Sequence, residues 1–222
     1  MEEQQKLSPT LFQEISLPLT LQDIEILLPY DSPELRKIVA ELLPEAANLA
    51  RIWGALAEYT PLPFNSEEVS LGGQLFKSAL LRDQIGGLTR AFPFFASEGV
   101  ELNLWSEKIA EKYKKASYAI RFLALKTAED YLEKFLTSRL NLPSISAMAP
   151  GTLEEWPRSE IKPLFELMEP LISKTKVSIS EIFWISPTVS SAGIYFESPT
   201  GFHNCRLCKD ATCRWRSYPR ME

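Results

Sequence analysis

The chain of 222 residues has a single histidine and only three cysteines. A Ser-His-Asp triad would depend entirely on that one histidine, and no G-x-S-x-G motif is present. The sequence also has no G-x-G-x-x-G fingerprint and no P-loop, which excludes the nucleotide-binding classes that use them. No apolar run is long enough to cross a bilayer, and we therefore expect no contact with the membrane interior.

An excess of positive charge is missing as well. The chain has 24 Lys and Arg residues against 29 Asp and Glu residues, a net charge of −5, which argues against general nucleic-acid binding. The polar, acidic start predicts no signal peptide. An odd number of clustered cysteines does not suit a secreted disulfide scaffold, so we expect a cytoplasmic protein with reduced thiols.

Capping residues and apolar periodicity predict most of the helices. Thr20 is expected to cap a short helix in LQDIEILL. In DSPELRKIVAELL, Ser32 is a good N-cap and Pro33 a good first residue, and we expect Pro44 to end this helix. Further helices are predicted in EAANLARIWGALAEY, SALLRDQI and SEIKPLFELM.

The longest predicted helix runs from about Leu102 to Leu140. Apolar and aromatic side chains recur along it at helical spacing, and we interpret this stripe as core packing rather than as a cofactor site. Its members are Trp105, Ile109, Tyr113, Ala116, Ile120, Leu123, Ala128, Tyr131, Leu132 and Phe135.

Short strands are predicted between the helices. Gly72 and Gly73 suit the turn of a hairpin. LTRAFPFF has strand composition, and its Pro93 predicts an edge strand or a bulge. NLPSISAM is a strand or a loop before a turn at Pro150-Gly151, and EIFWIS and VSSAGIYF are predicted strands. Scattered strands among dominant helices favour the α+β class over a doubly wound parallel sheet.

The C-terminal segment contains every soft metal-ligand type in the chain. His203, Cys205, Cys208 and Cys213 lie within GFHNCRLCKDATC. Three thiolates and an imidazole could bind zinc, and three thiolates could instead hold an iron–sulfur cluster. The alternative is that these cysteines are buried or idle, because free cysteine is often inert.

Three segments in a fixed order carry a resemblance to a known family: APGTLEEWPRSEIKPLFEL, EIFWISPTVSSAGIYF and CRLCKDATC. The chain resembles the activation (reactivation) domain of cobalamin-dependent methionine synthase. It is more closely similar to stand-alone relatives of that domain, which often end in a cysteine-rich tail. The resemblance covers most of the chain and implies one domain over residues 1–200, followed by a tail over residues 201–222.

The resemblance implies a twisted antiparallel sheet packed by helices. The family domain binds S-adenosylmethionine through an R-x-x-x-G-Y motif and docks on the cobalamin-carrying domain, so that inactive cobalamin can be reduced and remethylated. Aligning Pro150-Gly151 on that motif places Ala147 at the arginine and Thr152 at the tyrosine. Neither residue supplies a guanidinium or an aromatic face, which argues against S-adenosylmethionine binding by these contacts.

The resemblance also suggests a ligand groove. Pro150 and Gly151 would line it together with Ser190, Ser191 and Gly193, although these serines and glycines suit structural roles equally well. Glu129 corresponds to an acidic residue that faces the ligand in the family, but we favour its interpretation as a solvated helix glutamate.

The leading functional hypothesis is an accessory of corrinoid-dependent methyl transfer. The chain would dock on a corrinoid-carrying protein or methyltransferase, assist its reductive reactivation, and meet cobalamin only through that partner. One alternative is a non-catalytic binding or scaffold module with a structural zinc tail. Another is a methyltransferase component that binds S-adenosylmethionine through altered contacts.

Overall fold

The computed structural model describes residues 7–17, 33–142, 144–198, 202 and 204–209. The helix predicted in LQDIEILL lies outside these residues. Within the described part of the chain, none of the helices combines the length and the apolar character that crossing a bilayer requires.

Six α-helices are found in the described residues. Short 3-10 turns at Glu111–Tyr113 and Arg158–Glu160 precede the fourth and the fifth of them. The helices are α1 (Pro33–Leu49), α2 (Ala79–Ile85), α3 (Val100–Lys108), α4 (Lys114–Leu140), α5 (Ile161–Ile172) and α6 (Asn204–Leu207).

The strands in the described part of the chain form one main antiparallel sheet and two small ones. The main sheet has the order β1-β2-β6-β10-β7, the second β3-β4-β5, and the third β8-β9. The strands are β1 (Thr10–Ile15), β2 (Ile52–Leu56), β3 (Leu62–Pro63), β4 (Glu68–Leu71), β5 (Gln74–Lys77), β6 (Phe92–Ser97), β7 (Ile145–Met148), β8 (Ser178–Ile179), β9 (Ile185–Ser186) and β10 (Ser190–Glu197).

Each face of the main sheet buries its own hydrophobic core. Helices α1, α3 and α4 cover one face, where Val39, Trp105 and Leu132 pack against the sheet. Helices α2 and α5 and the β3-β4-β5 sheet cover the other face, where Phe76 and Trp156 are fully buried. This antiparallel sheet packed by helices confirms the predicted α+β class.

Several local predictions are confirmed. Gly72 and Gly73 form the β4–β5 turn with φ values of 56° and 88°, which glycine adopts without steric cost. The helix predicted in SALLRDQI is α2, and the structure adds that the Ser78 hydroxyl caps it by accepting a hydrogen bond from the Leu81 amide. The helix predicted in SEIKPLFELM is α5, which begins at Ile161.

The prediction that Pro44 ends the helix in DSPELRKIVAELL is wrong. Helix α1 continues through Pro44 to Leu49, because its buried face of Val39, Leu43 and Ala46 stabilises it on both sides of the proline. Tertiary packing therefore outweighs the loss of one backbone hydrogen bond.

The predicted helix in EAANLARIWGALAEY is also wrong. Its first residues belong to α1, and Ile52–Leu56 is the strand β2, buried along its whole length. A strand that is buried on both faces shows no alternation of apolar and polar residues, and a short apolar run of this kind cannot be told from a helix by its pattern.

The longest predicted helix is in fact two helices. Ile109 and Ala110 have extended backbone conformations, which end α3 before α4 begins. The Lys114 ammonium donates hydrogen bonds to the carbonyls of Ser106 and Glu107 at the end of α3. Most of the predicted stripe is nevertheless buried as core, whereas Tyr131 is exposed.

Pro93 lies in a central strand and not at an edge or a bulge. Strand β6 pairs with β2 on one side and with β10 on the other. The Pro93 carbonyl accepts a hydrogen bond from Ala57, one residue beyond the end of β2. Because the amide and the carbonyl of one residue face the same neighbour in an antiparallel pair, the Pro93 nitrogen, which has no hydrogen, faces the Ala57 carbonyl. Of the predicted strand EIFWIS, only Ile185–Ser186 is a strand.

Candidate ligand groove and cysteine tail

The main sheet opens at one place, between β7 and β10. Strand β10 pairs with β6 from Ser190 to Tyr195, but it pairs with β7 only from Ile194 to Glu197. Strand β7 ends at Met148, and the chain then leaves the sheet through the predicted Pro150-Gly151 turn. In the described sheet, the first half of β10 therefore has a strand neighbour on one side only.

A cavity of about 200 Å³ occupies this opening, and we name it the strand-edge hollow. Its walls come from the β7–α5 connection, from the loop that contains β9, and from the first residues of β10. The lining residues are Ala149, Pro150, Thr152, Arg158, Ile161, Phe183, Trp184, Ile185, Thr188, Ser190, Ser191 and Ala192.

Local hydrogen bonds hold the turn beside the hollow in place. The Gly151 amide donates to the Trp156 carbonyl at 2.7 Å, and the Thr152 amide donates to the Ala149 carbonyl at 3.2 Å. Gly151 has a φ of 79°, which glycine favours. The Trp156 side chain is completely buried and anchors the turn in the core.

Gly193 has a structural role. A Cβ atom at this position would lie 2.2 Å from the Met148 carbonyl oxygen and 2.9 Å from the Phe94 ring. Only glycine therefore allows the end of β7 to approach β10 this closely. Gly193 is not part of the lining of the hollow.

The two serines face different partners. The Ser190 hydroxyl contacts the Ser97 hydroxyl at 2.9 Å and donates to the Pro187 carbonyl at 2.8 Å. The Ser191 hydroxyl donates to Oε1 of Glu129 at 2.7 Å. Both serines line the strand-edge hollow, and Ser191 links it to helix α4.

Glu129 is not the solvated glutamate that we favoured. Its side chain is 21% exposed, and its carboxylate binds Lys126 at 2.7 Å in addition to Ser191. The sequence could not show this, because Ser191 lies far along the chain and meets helix α4 only in the folded sheet.

The surroundings of Glu129 shift several pKa values. Burial raises the pKa of the Tyr195 phenol well above 10, and the Glu129, Glu133 and Asp130 carboxylates raise it further. Burial also raises the pKa of Glu133. Burial opposes the charge on Lys126, but the carboxylates of α4, above all Glu129, hold its pKa above the ordinary value. Three carboxylates and two lysines, Lys126 and Lys134, are thus close enough on α4 to influence one another.

The start of the C-terminal tail packs against the body of the domain. The Phe202 ring lies 6.1 Å from that of Phe196, and its amide donates to the Ser198 hydroxyl. A second cavity of about 490 Å³, which we name the tail hollow, lies between the tail and the β7–α5 connection. Its lining includes Gly151, Glu154, Cys208 and Lys209.

The predicted metal ligands are only partly visible. His203, Cys213 and the Cys205 side chain lie outside the described residues, whereas Cys208 is a half-buried thiol that forms no disulfide with a described residue. The described residues contain no cluster of three or more His, Cys, Asp or Glu side chains that could hold a metal. The tail site therefore stays a prediction.

Sequence reasoning missed Arg158 and Trp184. The Arg158 guanidinium carbon lies 3.6 Å from the centre of the Trp184 ring, and Arg158 lines both hollows. The sequence offered two signals: Arg158 follows Trp156-Pro157 directly, and Trp184 lies in the predicted strand EIFWIS. Neither indicated a contact, because the two residues come from separate loops.

Tight local bonds fix the hairpin that presents Trp184. The Trp184 amide donates to the Ser180 hydroxyl at 3.1 Å, and its carbonyl accepts from the Ser180 amide at 2.9 Å. Phe183 has a φ of 61°, an unusual conformation for a residue with a side chain, and such outliers are common at functional sites. Ile182 and Trp184 are left exposed beside the strand-edge hollow.

These features define an α+β domain in which a cleft, the strand-edge hollow, lies where β7 and β10 separate. Among solved structures, the fold is similar to that of the MetH reactivation domain, determined in a crystal structure with AdoHcy bound. The TM-score is 0.68 at 14% sequence identity, over 89% of this chain and 80% of that chain. No family model and no curated protein matched the sequence. The fold that the resemblance implied is therefore confirmed.

Proposed function

We propose that this chain is an accessory protein of corrinoid-dependent methyl transfer, which docks on a corrinoid-carrying protein and assists its reductive reactivation. The observation that carries the proposal is the similarity to the MetH reactivation domain over most of the chain. Because a fold alone does not determine function, local features of the cleft must support the proposal as well.

Two such features support a docking role. The cleft opens where β7 and β10 separate, and its rim presents the exposed side chains of Ile182 and Trp184 on a rigid hairpin. Exposed aromatic residues that are held in place are typical of protein interfaces. Cys208 lies beside the same connection, so that a group bound by the tail would be close to the docked partner.

The test is a reduction assay with the cobalamin-carrying domain of a methionine synthase. Its cob(II)alamin is reduced with titanium(III) citrate, and the visible spectrum gives the rate with and without this chain. We expect faster reduction, together with a complex that is detectable by analytical ultracentrifugation.

A matched pair of variants locates the docking surface. The double variant Ile182→Ser and Trp184→Ser should weaken the complex, because both exposed side chains lie on the cleft rim. The control Leu62→Ser and Phe64→Ser removes apolar side chains that are equally exposed on the β3-β4-β5 sheet. No complex and no change in rate, or equal losses for both double variants, would contradict the proposal.

A second candidate function is a methyltransferase component that binds S-adenosylmethionine through altered contacts. Arg158 favours it, because this guanidinium stands in the cleft although Ala147 replaces the expected arginine. Calorimetry with S-adenosylmethionine and with AdoHcy tests this candidate. The absence of heat and of a thermal shift with both compounds would exclude it.

The third candidate is a scaffold module whose tail binds zinc. We propose that His203, Cys205, Cys208 and Cys213 hold either zinc or an iron–sulfur cluster, because thiolates suit both groups. Elemental analysis of protein prepared without oxygen should find zinc, or iron with a visible absorption band. Metal content that is unchanged in the triple Cys205, Cys208 and Cys213→Ser variant would remove the site.

A further inference from the structure

We propose that Arg158 is the receptor for the carboxylate of a small organic acid in the strand-edge hollow. No carboxylate of the described residues pairs with Arg158. Three other arginines do form ion pairs with carboxylates: Arg121 binds Glu98, Arg90 binds Glu58, and Arg82 binds Asp83.

Two acidic side chains near Arg158 in sequence are engaged elsewhere, and a third, Glu155, is exposed and lines the tail hollow rather than the strand-edge hollow. The Glu160 carboxylate points inward and accepts a hydrogen bond from the Lys77 amide at 2.7 Å. The Glu154 carboxylate pairs with Lys209 at 2.6 Å. The local structure thus directs both negative charges away from the guanidinium.

The guanidinium is also held in position for binding. It stacks on the Trp184 ring, and the hairpin bonds to Ser180 fix that ring. A stacked guanidinium keeps its N–H groups free at its edge, where they match the two oxygens of a carboxylate. Because Arg158 is already half-buried, binding would immobilise little further side-chain freedom.

The walls of the hollow select the kind of anion. Among the described residues, Arg158 is the only charged one that lines the hollow, and the other lining residues are hydroxyl-bearing or apolar. A single cation neutralises one negative charge, which suits a carboxylate better than a doubly charged phosphate. Ile161, Phe183 and Ala192 supply apolar surface for a short carbon chain.

This inference does not depend on the proposed reactivation role. A carboxylate site could operate in any of the three candidate functions, and docking on a corrinoid protein could occur without it. An Arg158 variant can therefore lose carboxylate binding and still form the complex with the corrinoid-carrying protein, so the two experiments test different claims.

The experiment compares acids with a neutral compound of the same shape. Butyrate, valerate and phenylacetate are titrated into the full chain, with butyramide as the neutral control, and the indole N–H signals are followed by NMR. A Trp184→Phe variant assigns the relevant signal. We expect saturable shifts with at least one acid and none with butyramide.

Substitutions then identify the receptor. Arg158→Gln should weaken binding of the acid about tenfold or more, because it removes a charge-assisted bidentate contact. Arg158→Lys should give an intermediate loss, since it keeps the charge without the fork. Arg139→Gln, an exposed arginine at the end of α4, should leave affinity unchanged.

Four results would overturn the inference. They are no saturable binding of any of the three acids, equal binding of butyrate and butyramide, unchanged affinity in both Arg158 variants, and inorganic phosphate binding more tightly than the acids. Circular dichroism of each variant confirms that it is folded.

Discussion

Arg121 and Arg158 both lie close to Thr188, yet their surroundings are opposite. The Arg121 guanidinium is buried and donates to Glu98, Asn103 and the Thr188 hydroxyl. The Arg158 guanidinium stacks on Trp184 and faces a hollow that Thr188 also lines.

The difference indicates that Arg121 has a structural role, whereas Arg158 is available to bind a ligand. A buried cation that donates to several protein acceptors is not available to a ligand, and removing it leaves the Glu98 carboxylate without its partner. A half-buried cation on an aromatic ring contributes little to the fold and keeps its donors available.

Arg121→Met should destabilise the protein most. Glu98 is completely buried, and breaking a buried ion pair costs about 3–5 kcal/mol because an uncompensated charge remains. Urea unfolding followed by circular dichroism measures the loss. Arg158→Met is the matched control, and a loss as large as that of Arg121→Met would contradict the contrast.

Trp184→Ala should reduce the free energy of unfolding by about 1 kcal/mol or less, because the ring is 57% exposed and its main contact is the Arg158 guanidinium. The same unfolding assay applies. A loss of several kcal/mol would show that the hairpin is part of the core rather than a wall of the hollow.

Glu160→Gln should change how stability depends on pH. Burial raises the pKa of Glu160, although the hydrogen bond from Lys77 opposes the shift. The folded state therefore holds the proton more tightly than the unfolded state. The stability from this group is present below the ordinary pKa and is lost as pH rises through the raised value.

In Glu160→Gln, stability no longer decreases when this side chain would lose its proton, because glutamine stays neutral. Glutamine also keeps an oxygen that can accept the hydrogen bond from the Lys77 amide. We expect its stability relative to the native protein to rise as the pH increases from the ordinary carboxyl pKa through the raised pKa of Glu160. Thermal unfolding across this range measures the difference. A constant difference would indicate that Glu160 titrates alike in both states.

Lys209→Ala should have the smallest effect, at most about 0.5 kcal/mol, since its pair with Glu154 is exposed. Thermal unfolding at low and at high salt checks this value. A larger loss would show that the tail contributes to the stability of the domain through this contact.

Features with local causes were predictable from sequence. The Gly72-Gly73 hairpin, the helix start at Pro33 and the Pro150-Gly151 turn each depend on the backbone preferences of a few adjacent residues. The quoted segments between Ala149 and Phe196 indicated the fold, which the similarity to the MetH reactivation domain confirms.

Errors arose where distant contacts outweighed local preference. Strand β2 was taken for a helix, since complete burial hides the alternation that marks a strand. No glycine or proline marks the break at Ile109-Ala110, where Lys114 satisfies the end of α3 from across the gap.

The candidate groove was predictable only in part. Pro150, Ser190 and Ser191 do line the hollow, and Glu129 reaches it through the Ser191 hydroxyl. The stacking of Arg158 on Trp184 was not predictable, because its two loops meet only after β7 and β10 have paired.

The amino-acid sequence by itself determined the turns, most helix starts, the α+β class and the clustering of thiols at the C-terminal end, since these depend on neighbouring residues or on composition. The tertiary structure alone decided which strands are central, where the sheet opens, and which arginine is occupied. The physical reason is that burial and ion pairing are set by residues far apart in the chain, which only the folded sheet brings into contact.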